Sequence, residues 1–205
     1  MTTLLYVQAS PRATDSVSTM AASLFVEALP ASVTVTTLDL FAADLPEFAQ
    51  ILASAKQKTM FGQALDEAET RAWGEVLTLV EQFTKADSYL FSVPMWNLSI
   101  PYKLKQYIDL ITHPGLTFMP TAEGMQGLAS GRACVVYSRG GDYSPKDGAP
   151  DPYDFQSVYL NAWLAMVGIS QIDEVAVQRT LAGPEALESS LAAAATALRA
   201  LAADF

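Results

Sequence analysis

The segment between residues 10 and 18 combines hydroxyl side chains with the predicted start of a helix. Ser10, Ser16 and Ser18 follow an apolar run, and Ser16 stands where a helix N-cap is expected. Backbone amides at a helix N-terminus attract an anion, and serine hydroxyls add donors. Since neither GxGxxG nor GxxxxGK[ST] occurs here, the segment favours a monophosphate over a dinucleotide or a P-loop ligand. Taken alone, a helix that is merely capped by serine is the simpler explanation.

A second segment, residues 93–101, places Met95, Trp96, Asn97 and Leu98 between two prolines. The prolines stiffen the chain on both sides, and the segment offers backbone amides together with apolar side chains. A rigid turn of this composition suits a flat heteroaromatic ring. Ordinary loop packing explains the same residues equally well when the segment is taken alone.

A third segment begins with Ser138, Arg139, Gly140 and Gly141, directly after another apolar run. Paired glycines let the backbone approach a ligand closely, because they carry no side chain. A flexible surface turn is the alternative interpretation.

Other reactive side chains are interpreted as structural. Cys134, the single cysteine, lies within an apolar run and reads as a small buried hydrophobe. His113 is the single histidine, and no triad partner is evident beside it. Asp87, Asp109 and Asp142 do not have the spacing of metal ligands, so no metal is expected.

Composition narrows the functional classes. The chain has 205 residues, a formal net charge of −10, 51% hydrophobic residues and 17% charged residues. No basic stripe is present, which argues against a nucleic-acid partner. The N-terminus lacks the pattern of a signal peptide, and no run approaches the ~18 apolar residues of a membrane span. We therefore expect a cytoplasmic protein that is not associated with a membrane.

Apolar runs alternate with helical patterns, which predicts one domain over residues 1–205, with a parallel sheet covered by helices on both faces. The predicted strands cover residues 4–9, 33–40, 87–93, 132–138 and 172–177. The predicted helices cover residues 20–28, 67–86, 100–112, 153–167 and 184–204. The connection 41–66 is interpreted as irregular and partly helical, and 114–130 and 139–152 as loops.

The three polar segments follow the first, third and fourth predicted strands. In open α/β sheets, ligands bind beyond the carboxyl ends of the strands, near the point where the strand order reverses. We therefore expect the three segments to converge on one site.

Several motifs resemble those of the FMN-dependent NADH-azoreductase family, whose members are also quinone reductases. The resemblance is carried by PMWNLSIP at 94–101, LKQYID at 104–109, GLTF at 115–118 and SRGG at 138–141. The residues SPR at 10–12 and SVS at 16–18 also match, and the similarity spans nearly the whole chain.

The resemblance implies a flavodoxin-like three-layer sandwich with a five-stranded parallel sheet of order 2-1-3-4-5. It also implies a homodimer with two FMN sites near the interface. The first segment would hold the FMN phosphate, the second the ribityl chain and isoalloxazine, and the third the pyrimidine side of the ring. The implied contacts, in that order, are Ser10, Ser16, Val17 and Ser18; Met95, Trp96, Asn97 and Leu98; and Ser138, Arg139, Gly140 and Gly141.

The implied activity is ping-pong, two-electron hydride transfer from NADH or NADPH, through FMN, to a quinone or an azo compound. We expect no side-chain catalyst, and the backbone amide of Asn97 is the candidate partner of the flavin N5 region. The aromatic candidates for the pocket wall are Tyr102, Phe118, Tyr143, Phe155 and Trp163.

Two other interpretations compete. A flavodoxin-like module that carries electrons or senses redox state would bind FMN without turnover of its own. An esterase or phosphodiesterase acting through Ser10 or Ser138 is disfavoured, because the chain lacks a GxSxG elbow and a paired histidine.

Overall fold

The computed structural model describes residues 2–205, in which a five-stranded parallel sheet has helices on both faces. The strands are β1 (Thr2–Gln8), β2 (Val33–Asp39), β3 (Ser88–Pro94), β4 (Phe118–Thr121), β5 (Gly124–Gly127), β6 (Arg132–Ser138) and β7 (Gln171–Val177). The helices are α1 (Val17–Ala28), α2 (Gln50–Met60), α3 (Glu67–Thr84), α4 (Tyr102–Ile111), α5 (Ser157–Met166) and α6 (Pro184–Ala202). The sheet order is β2-β1-β3-β6-β7, which confirms the predicted order of the five core strands.

Burial explains why these runs form central strands. Every residue of β3 is buried, as expected for a strand that is covered on both faces. On one face, helices α2 to α5 pack a core that includes Trp73, Phe83 and Trp163. On the other face, α1 and α6 pack a smaller core around Phe25 and Leu198. By contrast, β2 lies at the edge of the sheet and is only half-buried.

The strand order reverses at β1, where the site was expected. β1 pairs with β2 on one side and with β3 on the other, so the loops that follow β1 and β3 leave the same edge side by side. Backbone hydrogen bonds continue the pairing past the strand ends, from Met95 N to Ser138 O (2.8 Å) and from Arg139 N to Val177 O (2.9 Å). The loops after β1, β3, β6 and β7 therefore meet at one edge.

The structure corrects the interpretation of residues 114–130 as a loop. This region contains an antiparallel hairpin, β4 and β5, which the glycines and Pro120 concealed in the sequence. Gly127 serves close packing rather than flexibility, because a Cβ atom there would lie 2.1 Å from the backbone nitrogen of Gly168. The expected helical part of 41–66 is α2, and the helix predicted from residue 153 begins later, at Ser157.

None of the helices within residues 2–205 combines the length and the apolar character that crossing a bilayer requires.

Candidate functional site

The loop after β1 presents uncapped backbone amides at the start of α1. Ser16 is the N-cap residue, as predicted, but its side chain makes no capping hydrogen bond. Its Oγ instead lies 3.1 Å from Oγ of Ser18, and both side chains are buried. The first helical bond runs from Met20 N to Ser16 O (2.8 Å), so the amides that precede Met20 have no acceptor in the helix. This terminus can therefore bind an anion through main-chain donors.

A cleft of about 260 Å³ joins this helix terminus to the ends of the neighbouring strands. Among the described residues that line the cleft, Arg12 has the one charged side chain, and Ser10 and Ser16 contribute hydroxyl groups. A cleft that offers amides, hydroxyls and a guanidinium without a carboxylate is suited to a dianion. The lining residues are Ser10, Arg12, Ser16, Val17, Pro94, Met95, Trp96, Ser138, Gly140, Thr180 and Leu181.

The loop after β3 contains a tight turn in an unusual conformation. Asn97 and Leu98 both have positive φ angles, 48° and 70°. Trp96 and Ser99 bond to each other across them, with N–O distances of 2.9 and 3.1 Å. Positive φ at both central residues defines a type I′ turn, which glycine or asparagine usually forms. Leucine in this region is strained, and strain of this kind clusters at functional sites.

A larger pocket of about 680 Å³ lies beside the cleft, and Trp96 lines both. Asn97 faces this pocket rather than the cleft, and Leu98 does not line either one. Tyr102, expected as a wall residue, lines the pocket, whereas Phe48 and Tyr159 also line it and were not identified from the sequence. The remaining lining residues are Ser99, Ile100, Lys105, Gln106 and Asp109.

The loop after β6 divides its side chains between two sides. Ser138 and Gly140 line the cleft, whereas the Arg139 side chain is buried on the opposite side and pairs with Asp154 at 2.9 Å. This alternation follows from the two-residue period of an extended chain. Gly141 does not line the cleft, and its carbonyl accepts a bond from Arg179 N (2.9 Å). Arg139 therefore does not line the cleft, and its backbone bonds to the chain beside it, from N to Val177 O (2.9 Å) and from Thr180 N to its O (3.0 Å).

A fourth loop, between β7 and α6, completes the wall and was missed in the sequence. Thr180 N donates to Arg139 O (3.0 Å) and Leu181 N to Gly140 O (3.3 Å), so this loop runs along the third segment. The Leu181 side chain covers Gly140 and is 86% exposed. The sequence did offer one indication that this loop belongs to the site. It follows the last predicted strand, whose carboxyl end lies at the same edge of the sheet as those of the other strands.

Other candidates lie away from the cleft. His113 follows α4, which begins near the cleft and runs toward the opposite edge of the sheet. Its ring packs against Trp73 at 4.9 Å between centroids, and burial lowers its pKa. Trp163, nominated for the pocket wall, is instead a core residue that donates to Thr112 Oγ1 (2.9 Å). Burial raises the pKa of Cys134 to about 12, so its thiol is unreactive.

The remaining polar candidates have local partners. Asp87 accepts bonds from the amide and hydroxyl of Thr3, and Asp109 pairs with Lys105. Asp142 accepts from the amide of Ser144. Within residues 2–205, no three His, Cys, Asp or Glu side chains are grouped so that they could hold a metal ion.

The order of the sheet and the ligand-sized clefts at its switch point define a flavodoxin-like protein, and comparison with known proteins agrees. A sequence model of the family described as having a flavodoxin-like fold matches residues 2–202. The FMN-dependent NADH:quinone oxidoreductase of Desulfotalea psychrophila is 47% identical over 200 residues, covering 95% of this chain and 93% of that protein. A protein of the same name from Pseudomonas fluorescens is 41% identical, covering 98% of this chain and 96% of that protein.

Solved structures show the same relationship. An azoreductase from Bacillus anthracis superposes with a TM-score of 0.89 at 29% identity, covering all of both chains. The FMN-dependent NADH-azoreductase from the same species, in complex with FMN, has a TM-score of 0.86 at 28% identity over 98% of this chain and 100% of that one. The chain therefore belongs to the flavodoxin-like family that includes the FMN-dependent NADH:quinone oxidoreductases, and the resemblance seen in its motifs is confirmed.

The residues of this site fit FMN. A phosphate monoester needs several hydrogen-bond donors, which the α1 terminus and Arg12 supply. It also needs a site without a carboxylate, and no Asp or Glu is among the described residues that line the cleft. The adjoining pocket is mainly aromatic and apolar at Phe48, Trp96 and Tyr159, which suits the planar ring system.

Proposed function

We propose that this protein is an FMN-dependent oxidoreductase that uses NAD(P)H to reduce quinones and azo compounds. One observation carries the proposal: a carboxylate-free anion site at the α1 terminus is joined, through Trp96, to a large aromatic pocket. The names of the relatives, which specify FMN, NADH and quinone or azo reduction, support the same conclusion.

The phosphate end of FMN is assigned to the first loop. Ser10, Ser16 and Ser18 supply hydroxyls, and the first α1 amides, including that of Val17, supply main-chain donors. We add Arg12, whose guanidinium is the charged group of the cleft and would neutralise the phosphate.

The ribityl chain and the ring are assigned to the loops after β3 and β6. Met95, Trp96 and Asn97 form one side, and Leu98 completes the turn that holds them. Ser138 and Gly140 form the other side. Arg139 and Gly141 hold that loop in place, Arg139 through its pair with Asp154 and Gly141 through the bond from Arg179 N to its carbonyl.

When bound, FMN supplies a site that accepts a hydride from the nicotinamide and later gives two electrons to the acceptor. The type I′ turn holds the Asn97 amide at a fixed corner, where it can donate to the reactive edge of the ring. The larger pocket admits the nicotinamide and then, after its release, the acceptor. Because both substrates use one pocket, we propose a ping-pong order.

We also propose that residues 1–205 act as one domain and that two copies associate in the cytoplasm. Large side chains around the larger pocket are exposed in the single chain, among them Phe48, Tyr102 and Phe155. Exposed apolar groups around a pocket are typical of an interface. Light scattering on the purified protein measures its mass directly; a monomer at micromolar concentration would contradict this part of the proposal.

The decisive experiment is anaerobic reduction of the FMN-loaded protein by NADH, followed by addition of a quinone. The flavin absorbance should bleach rapidly with NADH and recover with the quinone, and free FMN at the same concentration is the control. A yellow protein that NADH does not reduce faster than free FMN would favour a redox module without turnover. A protein that retains no FMN would contradict both functions.

A further inference from the structure

A buried ion pair lies behind the loop that follows β6. The side chains of Arg139 and Asp154 are 5% and 6% exposed, and their nearest charged atoms are 2.9 Å apart. Arg139 Nε also donates to Oε1 of Gln156 (3.0 Å). A separate pocket of about 400 Å³, on the side of the loop away from the cleft, is lined by Arg139 and Asp154.

The segment that holds Asp154 and Gln156 is tied to the other ring-binding loop. Gln156 Nε2 donates to the carbonyl of Val93, at the end of β3 (3.0 Å). Phe155 N donates to the carbonyl of Leu98, inside the strained turn (3.1 Å). A short run of residues therefore bonds to Arg139 on one side and to the Leu98 turn on the other.

The Asp154 carboxylate is fully engaged in this arrangement. Oδ1 accepts from the amides of Gln156 and Ser157, and Oδ2 accepts from the Ser157 hydroxyl (2.6 Å) as well as from Arg139. A buried pair contributes little net stability compared with apolar residues, but it fixes one geometry, because loss of either partner leaves an uncompensated charge. The Arg139–Asp154 pair is therefore suited to holding the backbone around it in one position.

We propose that Arg139, Asp154 and Gln156 form a positioning clamp that sets the separation of the loops after β3 and β6, and so the fit of the flavin ring between them. The inference rests on the proposed function, because it concerns the same site. Arg139 and its partners act through backbone placement, since the clamp side chains point away from the cleft.

Asp154→Asn tests the clamp, because it keeps an acceptor for the two amides and removes the charge that faces Arg139. The matched control is Asp173→Asn, which breaks the pair between Arg132 and Asp173 (2.6 Å) at the opposite end of β6. FMN affinity is measured by fluorescence titration, and the limiting rate of anaerobic reduction is measured in FMN-saturated protein. We expect Asp154→Asn to weaken FMN binding and to slow reduction about tenfold or more, since small misplacements of reacting groups cost up to ~100-fold.

The control variant should keep the wild-type affinity, visible flavin spectrum and limiting rate. The paired change Arg139→Met with Asp154→Asn leaves no unpaired buried charge and keeps an acceptor for the amides of Gln156 and Ser157, so it should fold and still show the slowed reduction and a shifted flavin spectrum. A purely structural role would lower the melting temperature alone. Wild-type affinity and rate in the paired variant, or equal losses in Asp173→Asn, would overturn the clamp while leaving the proposed function intact. A wild-type protein that binds no FMN would overturn both.

Discussion

Replacing Asn97 by valine should slow flavin reduction about tenfold, whereas replacing it by glycine should have little effect. The Asn97 φ of 48° lies in the left-handed region, which asparagine and glycine tolerate and β-branched residues avoid. The Asn97 side chain is exposed, so neither variant removes core packing. Both variants remove the same side-chain amide, and only their backbone preference differs.

The size of the effect follows from the cost of the left-handed conformation. The left-handed conformation costs about 1–2 kcal/mol for a residue such as valine, and much less for glycine and asparagine. Since about 1.4 kcal/mol corresponds to a factor of ten, the valine variant should hold the type I′ turn about tenfold less well. A displaced turn no longer presents the Asn97 amide at the corner where the ring is expected.

Stopped-flow reduction by NADH under anaerobic conditions, at saturating FMN, measures the limiting rate of each variant. Wild-type rates in both Asn97→Val and Asn97→Gly would refute the argument from backbone conformation. An equal loss of rate in both variants would instead assign the effect to the side chain. Asn97→Pro, which removes the amide, is a poor test, because proline requires φ near −65° and would rebuild the whole turn.

Three further predictions concern affinity and stability. Arg12→Ala should weaken FMN binding about tenfold or more by fluorescence titration, because a charge-assisted hydrogen bond contributes roughly 1.5–3 kcal/mol; unchanged affinity would remove Arg12 from the phosphate site. The pKa of Glu69 is lowered from 4.5 to about 2 by hydrogen bonds from Lys58, the Asp66 amide and Ser54. The ionised Glu69 therefore stabilises the fold above pH 4.5, and this stabilisation is lost as the pH falls toward 2. Urea unfolding should show that the free energy of unfolding falls with pH in the wild type and falls less in Glu69→Gln. The same pH dependence in both proteins would contradict the role given to Glu69. Gly127→Ala should cost about 1–3 kcal/mol in the same assay, because its Cβ meets backbone atoms that cannot move aside, and wild-type stability would show that the hairpin can shift.

The sheet and the first loop were predictable because their signals are local. The run 133–137 is apolar throughout, which indicates a strand buried on both faces, and β6 extends one residue beyond it at each end, as predicted. The serines at 10, 16 and 18 and the start of α1 are neighbours in the chain, so their meeting at one helix terminus needs no long-range information. The sequence also placed Ser16 correctly at the N-cap.

The parts that were missed depend on contacts between distant segments. Thr180 and Leu181 reach the cleft because β7 pairs with β6, and nothing in their local sequence marks them. Gly127 resembled a loop glycine, yet its role is close packing against Gly168. The direction of the Arg139 side chain was accessible in principle, since it alternates with Ser138 and Gly140 along an extended chain.

This difference between local and long-range structure divides the site into two ends that should respond differently to mutation. The phosphate end is built from one helix terminus and Arg12, so its changes should act mainly on FMN affinity. The ring end depends on the strained turn at Asn97 and on the buried pair of Arg139 with Asp154, which fix geometry across loops that are far apart in sequence. Its changes should therefore act on the limiting rate even when FMN is saturating. If Arg12→Ala slowed that rate as much as Asn97→Val does, the two ends would not be separable, and the argument that geometry at the ring end governs hydride transfer would fail.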